Sequence, residues 1–384
     1  MKLVFASDSF KGTLSSSETA MLLKRAATKV FGQCDTVSVN LADGGEGTMD
    51  AVIRELDGEK LYTNVHDPLM KEIRACYGLT NDKKAIIEMA QASGLTLVPE
   101  DERNPLFTTS YGTGELVIDA IKNGATEIIV AIGGSATNDG GMGFSTALGV
   151  RFLDVYGNEL EGKGINLERV ADIDFSRVSD EVKNIKFVVM CDVTNPLCGK
   201  NGATFTYAKQ KGASREGIVR LEAGMQNFRD VIEKKTGINP DGIEGSGAAG
   251  GLGAALSVFF HAELKSGIET VLDIIDFDDI MKDADFIITG EGKADYQSVF
   301  GKVVSGVAKR AKKQNVPVIA LCGDLGEGYE KLYDCGVSSI YSITEEIEPG
   351  KAMENAAKYY YEKAICMFKD INDDRSRDKT AFRQ

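Results

Sequence analysis

Histidine is scarce in this sequence: only His66 and His261 occur among 384 residues. His66 lies in a polar stretch and His261 follows an apolar one, so we expect a structural role for both. Histidine is the side chain that titrates near neutral pH and the commonest metal ligand. A Ser-His-Asp mechanism or a histidine-bound metal is therefore poorly supported, and the chemistry must come from other side chains.

Positive charge and paired cysteines are also in short supply. The chain has 44 Lys and Arg against 58 Asp and Glu, a formal net charge of −14. Proteins that follow a nucleic-acid backbone need a continuous excess of Lys and Arg, so we expect no nucleic-acid partner. The seven cysteines contain no CxxC pair, and their odd number argues against a complete disulfide framework.

Long apolar runs are missing as well. No stretch approaches the roughly 18 apolar residues of a membrane helix, and the apolar run at residues 2–6 is too short for a secretory signal. We therefore expect a cytoplasmic protein without a membrane partner. The 384 residues, 43% of them hydrophobic, are enough for roughly two domains of about 150–200 residues each.

What the sequence does have is a set of glycine-rich polar islands, each placed directly after a short apolar run that is typical of a buried β-strand. In a parallel α/β sheet the loops that follow strands collect at one edge, where small molecules bind. Glycines there let backbone N–H groups approach a ligand, and interleaved carboxylates can hold a cation. The pattern predicts a phosphorylated, metal-bound ligand. The islands are residues 8–12, 43–47, 133–141, 290–293 and 323–324.

The order of the predicted elements indicates an α/β protein with two different domains. Strands and helices alternate at the start, where Ser15 and Glu18 form a capping box, and again from residue 285 to 368. Three strands near residues 60–89 follow one another too closely for crossover helices and should pair antiparallel. We predict a discontinuous, doubly wound (Rossmann-like) domain of residues 1–62 plus 282–370, an inserted mixed-sheet domain of residues 63–281, and a frayed, charged tail of residues 371–384.

Two common phosphate-binding motifs are incomplete. In the nearest match to GxxxxGK[ST], Gly164 stands where the hydroxyl residue should follow Lys163, which indicates an ordinary turn. Residues 245–250 satisfy GxGxxG, but no strand is predicted before them. A helix packed closely on its neighbour and an anion-binding helix N-terminus both remain open there, and a dinucleotide site keeps an NAD-dependent oxidoreductase as an alternative.

Ten strings in a fixed order resemble the bacterial glycerate kinase family, typified by the enzymes of glyoxylate and galactarate catabolism, over about residues 1–368. The resemblance implies ATP-dependent phosphorylation of D-glycerate, usually at the 2-hydroxyl, with Mg²⁺, and a site in the cleft between two different α/β domains. The strings are DSFKG at 8–12, ADGGEGT at 42–48, IEMAQASGL at 87–95, RNP at 103–105, TSYGTGEL at 109–116, GGSATNDGG at 133–141, CDVTNPLCG at 191–199, QKGA at 210–213, GAAGGLGAAL at 247–256 and ITGEGKAD at 288–295.

The chain departs from the family pattern at three positions. Lys293 stands where Arg is common, Lys209 where Pro usually precedes QKG, and Ser298 where Thr is usual. Lys293 keeps the charge and loses the bidentate fork of arginine. The departures concern fine specificity more than the class of reaction.

Roles for single residues follow from their chemistry, because phosphoryl transfer depends on positioning and charge neutralisation around Mg²⁺. We expect Asp192, Lys11 and Asp8 to be catalytic. We expect Arg103, Lys293 and Asp295 to bind glycerate, since a guanidinium can hold a carboxylate through two parallel hydrogen bonds. The predicted nucleotide and phosphate contacts are Gly133, Gly134, Ser135, Thr137, Asn138, Lys211, Gly290 and Gly292. The predicted Mg²⁺ ligands are Asp192, Asp43, Glu46 and Glu291.

Several alternatives stay open at this point. Asp192 could belong to an Asx-turn before Asn195 and Pro196, and Asp43 could cap a helix. A non-catalytic binding protein for a small acid and a kinase that forms 3-phosphoglycerate are further possibilities. Monomer and homodimer are both compatible with the sequence, as is more than one loop for the adenine.

Overall fold

A computed structural model describes residues 1–10, 12–42, 47–344, 347 and 349–381. They form two compact units: a discontinuous unit of residues 1–43 and 267–384, and an inserted unit of residues 44–266. The strands are β1 (Lys2–Phe5), β2 (Asp35–Ser38), β3 (Glu59–His66), β4 (Glu72–Leu79), β5 (Lys84–Glu88), β6 (Glu127–Ala131), β7 (Arg151–Leu153), β8 (Asp172–Asp174), β9 (Lys186–Met190), β10 (Glu263–Lys265), β11 (Phe286–Thr289), β12 (Lys293–Ala294), β13 (Val318–Cys322), β14 (Asp324–Leu325) and β15 (Val337–Ser342).

Helices connect most of these strands. The α-helices are α1 (Ser16–Phe31), α2 (Thr48–Glu55), α3 (Ala90–Ser93), α4 (Tyr111–Lys122), α5 (Met142–Ala147), α6 (Asp180–Asn184), α7 (Ala203–Tyr207), α8 (Arg215–Thr236), α9 (Ala248–Phe259), α10 (Gly267–Ile274), α11 (Phe277–Ile280), α12 (Val303–Lys313), α13 (Leu332–Cys335), α14 (Pro349–Glu354) and α15 (Ala356–Ala381). Short 3-10 helices span Leu95–Leu97, Glu100–Glu102, Gly164–Arg169, Pro240–Gly242, Tyr296–Val299 and Tyr329–Lys331. None of the described helices is both long and apolar enough to cross a membrane.

The discontinuous unit is built on a parallel five-stranded sheet in the order β15-β13-β11-β1-β2. Its inner strands are short apolar runs buried on both faces, as expected where helices cover both sides of a sheet. Leu3 and Phe5 pack with α1 and α15 in one core cluster, while α12 contacts β11 and β13. The predicted doubly wound sheet is confirmed, and its strand order reverses between β1 and β11.

The first helix shows why the local sequence folds as predicted. The Ser15 hydroxyl accepts a hydrogen bond from the Glu18 amide at 3.2 Å, and the Glu18 carboxylate accepts one from the Ser15 amide at 2.8 Å. This reciprocal capping box satisfies two backbone donors that have no partner inside the helix. The predicted helix start is therefore confirmed.

The inserted unit contains a mixed six-stranded sheet in the order β10-β9-β6-β5-β4-β3. The pairs β3–β4 and β4–β5 are antiparallel, as the short spacing of these strands predicted, while β5, β6, β9 and β10 run parallel. A large core of buried apolar side chains, including Tyr77, Phe144 and Phe228, packs around it. The sheet places the carboxyl ends of β6 and β9 side by side.

The limits of the two units differ from the predicted boundaries at 62/63 and 281/282. Helix α2 packs on β4 and β5, and Glu88 accepts a 3.0 Å hydrogen bond from the Met49 amide, so α2 belongs to the inserted unit. Helix α10 packs on α12 and belongs to the discontinuous unit. Helix α15 continues to Ala381, past the predicted start of a frayed tail at 371, because no Gly or Pro ends it.

Candidate functional site

A cavity of about 420 Å³ lies at the carboxyl edge of the discontinuous unit's sheet. Three strand ends meet there: the Asp8 amide donates to the Gly290 carbonyl at 2.9 Å, and the Asp324 amide donates to the Gly292 carbonyl at 3.0 Å. This is the point where the strand order reverses, which is where doubly wound sheets bind ligands. The lining residues are Asp8, Ser9, Phe10, Thr13, Glu291, Gly292, Lys293, Lys302, Gly323, Asp324, Ile343, Thr344, Met353 and Ala356.

Glu291 is the buried acid of this cavity, with 6% of its surface exposed. Its Oε2 atom lies 3.5 Å from Lys302 Nζ, and its Oε1 atom has no hydrogen-bond partner in the described part of the chain. Burial raises the pKa of Glu291, Asp8 adds to that effect and Lys302 opposes it. Two carboxylates with an unsatisfied buried oxygen form a hard donor set of the kind that suits Mg²⁺.

Of the predicted residues near Glu291, Lys293 lines the cavity, whereas Asp295 and Gly290 have structural roles beside it. Lys293 lines the cavity and pairs with Asp324 at 3.7 Å. Asp295 does not line it; its carboxylate accepts a 2.8 Å hydrogen bond from the Gln297 amide and caps a 3-10 helix. Gly290 leaves room for the next strand, since a Cβ there would lie 2.0 Å from the Leu321 carbonyl.

Three predicted residues, Lys11, Asp43 and Glu46, lie outside the described residues. Of the other predicted Mg²⁺ ligands, Glu291 belongs to the discontinuous unit and Asp192 to the inserted unit. Within the described ranges, no group of three or more His, Cys, Asp or Glu side chains is arranged to hold a metal ion.

In the inserted unit, Lys211 is buried against the glycine-rich loop of residues 133–143, with 3% exposed. Its Nζ atom donates to Ser135 Oγ at 2.7 Å and to the Thr137 carbonyl at 2.6 Å. Burial lowers the pKa of Lys211 to about 7, against the opposing effect of Asp139. The structure thus brings three predicted phosphate-binding residues into one cluster.

Asp139 organises the far end of the same loop. Its buried carboxylate accepts hydrogen bonds from the Ser110 amide and hydroxyl and from the amides of Gly141 and Gly143, at 2.7–3.2 Å. Burial raises the pKa of Asp139 and these four donors lower it. Asp139 was not among the predicted site residues, although an acid inside a glycine-rich island was a usable signal.

The GxGxxG segment packs against this loop. A Cβ on Gly250 would lie 2.1 Å from the Thr137 carbonyl, and the Gly140 amide donates to the Gly250 carbonyl at 2.9 Å. A 3-10 helix, Pro240–Gly242, precedes the segment, so the strand-turn-helix arrangement of a dinucleotide fingerprint is not formed. The structure shows close packing of this small-residue segment, but Ala249, Gly250 and Gly251 have left-handed backbone angles, so the packed part is a turn at the start of α9 and not regular helix.

The buried polar atoms around this loop are incompletely satisfied. Thr137 Oγ1, Asn138 Oδ1 and Ser246 Oγ have no hydrogen-bond partner among the described residues. Asn138 is nonetheless held, because its Nδ2 atom donates to Thr204 Oγ1 at 3.2 Å. Acceptors and hydroxyls left over in a packed loop can receive the polar groups of a ligand or an ordered water.

Arg103 and Asp192 also belong to the inserted unit. Arg103 is partly buried: Nε donates to the Val98 carbonyl at 3.2 Å and Nη1 lies 3.8 Å from Glu100. A Cβ on Gly212, the residue after Lys211, would lie 2.2 Å from the Arg103 carbonyl, so the backbones of these two segments are in close contact. Asp192 is exposed beyond the end of β9, the strand next to β6, whose end carries the loop.

Further residues that sequence reasoning missed lie in the cavity of the discontinuous unit. Asp324 belongs to the predicted island at residues 323–324, but no role was assigned to it. Phe10 belongs to the predicted island at residues 8–12 without an assigned role, whereas Thr344, two residues after β15, lies in no predicted island.

The comparisons with known proteins agree across the chain. The sequence model of the glycerate kinase family matches residues 3–372. The glycerate 2-kinase of Escherichia coli K12 is 45% identical over 348 residues, 90% of this chain and 91% of that protein. The glycerate kinase of Bacillus subtilis 168 is 44% identical over 361 residues, 94% of each chain. A crystal structure assigned to a glycerate kinase 2 from Salmonella typhimurium LT2 superposes with a TM-score of 0.88 at 40% identity, covering 98% of this chain and 99% of that one.

Proposed function

This chain belongs to the glycerate kinase family and is an enzyme, and on that premise we propose that it transfers the γ-phosphoryl group of ATP to the 2-hydroxyl of D-glycerate. The products are 2-phosphoglycerate and ADP. The observation that carries this proposal is the match, along nearly the whole chain, to a relative named a glycerate 2-kinase. The scarcity of histidine and the lysines and acids at the strand ends are consistent with it.

In this reaction the oxygen of the 2-hydroxyl forms a bond to the γ-phosphorus. The bond between that phosphorus and the β,γ-bridging oxygen breaks, and the hydroxyl proton passes to a carboxylate. We assign the proton acceptor to Asp192, which follows a buried strand and is exposed to an incoming substrate. Asp8 is the alternative acceptor.

Mg²⁺ fits the donor set of Asp8 and Glu291, because the buried Oε1 atom of Glu291 lacks a partner among the described residues. When bound, the ion neutralises charge on the phosphates of ATP. Asp43, Glu46 and Asp192 remain predicted ligands. Lys302, 3.5 Å from Glu291, supplies positive charge to the same cavity.

Substrate recognition is assigned to the arginine and the glycine-rich loop of the inserted unit. The guanidinium of Arg103 can hold the carboxylate of D-glycerate through two parallel hydrogen bonds. The first part of the loop, residues 133–138, which contains the two acceptors of Lys211, supplies polar contacts for the transferred phosphoryl group. The glycerate contacts predicted for Lys293 and Asp295 remain predictions.

Turnover of the purified protein tests the proposal. ADP release from ATP should require both D-glycerate and Mg²⁺, and ³¹P NMR should show a phosphate on the 2-oxygen. Glycerol, which lacks the carboxylate, serves as the control acceptor. A phosphate on the 3-oxygen would overturn the assigned position, and D-glycerate-independent ATP consumption would overturn the assigned substrate.

A further inference from the structure

One side of the cavity in the discontinuous unit is apolar, which the proposed reaction alone does not explain. Phe10, Ile343 and Ala356 are 3%, 7% and 7% exposed, and Met353 is 59% exposed at the edge. Phe10 is fixed by an edge-on contact with Tyr360, the ring centres lying 5.3 Å apart. A contact within the protein therefore fixes the position of Phe10 in this wall.

D-Glycerate does not match this wall, since each of its carbons is bonded to oxygen and it has no apolar face. A cavity of about 420 Å³ is in the size range of pockets that hold nucleotide-sized or drug-sized ligands. A flat, weakly polar ring system gains from apolar contact with Phe10, Ile343 and Met353. Resting on the proposed function, we propose that this cavity seats the nucleoside of ATP, with the adenine against the apolar wall.

Asp324 and Thr344 add hydrogen-bonding groups to the lining of the same cavity. Thr344 Oγ1 donates to Asp324 Oδ1 at 2.7 Å, and Ser342 Oγ donates to the Gly323 carbonyl at 3.2 Å. This network holds the Asp324 carboxylate at the cavity. An acid near the end of a strand accepts the ribose hydroxyls in dinucleotide-binding α/β folds, and Asp324 is placed to do the same.

The polar end of the cavity completes the match. The buried Glu291, on the loop after β11, and Lys302, at the start of α12, lie there. A nucleotide spans both kinds of surface, with an apolar base at one end and a charged polyphosphate that binds lysine and Mg²⁺ at the other. A small hydroxy acid such as D-glycerate could occupy only the charged end of the cavity.

The test compares Met353→Ala with Met21→Ala, a matched change at an equally exposed methionine (55%) on helix α1 of the same unit. The probes are ADP, inorganic tripolyphosphate and D-glycerate, measured by calorimetry, with steady-state KM values beside them. Met353→Ala should raise Kd for ADP and KM for ATP roughly tenfold by removing apolar contact with the base. Tripolyphosphate binding and KM for glycerate should not change, and Met21→Ala should resemble wild type. Asp324→Asn should also weaken ADP and leave tripolyphosphate unaffected.

A rise in KM for glycerate with ATP unaffected would overturn the proposal, because the cavity would then hold the acid. Equal weakening of ADP and tripolyphosphate would also overturn it, since the base would not be the group in contact. If wild type turns over glycerate while Met353→Ala and Asp324→Asn keep normal ADP binding, the proposed function survives and this inference fails. If ADP binding depends on Met353 but no phosphoglycerate forms, the inference survives and the proposed function fails.

Discussion

Lys211 Nζ donates a 2.7 Å hydrogen bond to Ser135 Oγ, joining residues 76 positions apart. A second bond, 2.6 Å long, reaches the Thr137 carbonyl. Both acceptors are neutral, so the ammonium is held without a direct ion pair to either, and burial lowers the pKa of Lys211 to about 7. The loop of residues 133–143 is thus anchored by a side chain whose charge is costly to bury.

The buried ammonium predicts a pH-dependent stability. The pKa of Lys211 is about 7 in the folded protein and near its ordinary value of 10.5 in the unfolded chain. Between these values the unfolded chain binds more protons, so this residue makes the free energy of unfolding rise with pH. Below pH 7 both states are protonated and the dependence from Lys211 ends.

Urea unfolding of wild type and Lys211→Met from pH 6.5 to 9.5 measures this pH dependence of the free energy of unfolding. Lys209→Met is the control, because Lys209 is exposed. The Lys211 variant should lose part of the rise that wild type and the Lys209 variant show. Parallel pH profiles for all three proteins would mean that Lys211 is not neutralised on folding.

Asp192→Asn keeps the size of the side chain and removes its charge. If Asp192 accepts the hydroxyl proton, kcat should fall by about 10²–10⁴, and a ligand role would instead raise the Mg²⁺ concentration needed for activity. Steady-state kinetics over a range of Mg²⁺ distinguishes the two. Asp180→Asn, at a side chain 88% exposed, is the control. Near-wild-type kcat with normal Mg²⁺ dependence would remove Asp192 from the site.

Arg103→Lys retains the positive charge and loses the planar fork. KM for D-glycerate should rise about tenfold, as expected for losing part of a charge-assisted contact, while KM for ATP stays near wild type. Arg177→Lys, at an exposed side chain, is the matched control. Equal effects of Arg103→Lys on both substrates would point to a structural role, consistent with its bond to the Val98 carbonyl.

Gly250→Ala tests the close contact between the left-handed turn of residues 249–251, at the start of α9, and the loop. Gly250 has φ +67°, and an added Cβ would lie 2.1 Å from the Thr137 carbonyl. We expect a loss of at least about 1–3 kcal/mol in the free energy of unfolding, from backbone strain at the positive φ and from the movement needed to relieve the contact. Gly242→Ala is the control, since a Cβ there meets no atom within 4 Å. Equal stability of the two variants in urea would show that α9 shifts at little cost.

The sequence predicted the elements better than the contacts between them. Strands β11 (Phe286–Thr289) and β13 (Val318–Cys322) end directly before the predicted islands at residues 290–293 and 323–324, because buried apolar runs end where polar islands begin. The boundaries between the two units were harder to predict, since the apolar pattern of α2 shows which face of the helix is buried but not which sheet it packs on. The hydrogen bond between Lys211 and Ser135 could not be predicted for the same reason. Both residues were predicted phosphate contacts, but their contact with each other depends on the tertiary packing.

The split construction of the discontinuous unit has a consequence for synthesis. Thr289 Oγ1 donates to the Ala6 carbonyl across 283 residues, so β1 must wait for β11 before it gains this neighbour in its sheet. At about 5–20 residues per second, the ribosome takes roughly 15–60 s to make that stretch. The inserted unit is fully translated within this interval, so we expect it to fold first. We expect β1 to be the part of the nascent chain that most needs protection by chaperones.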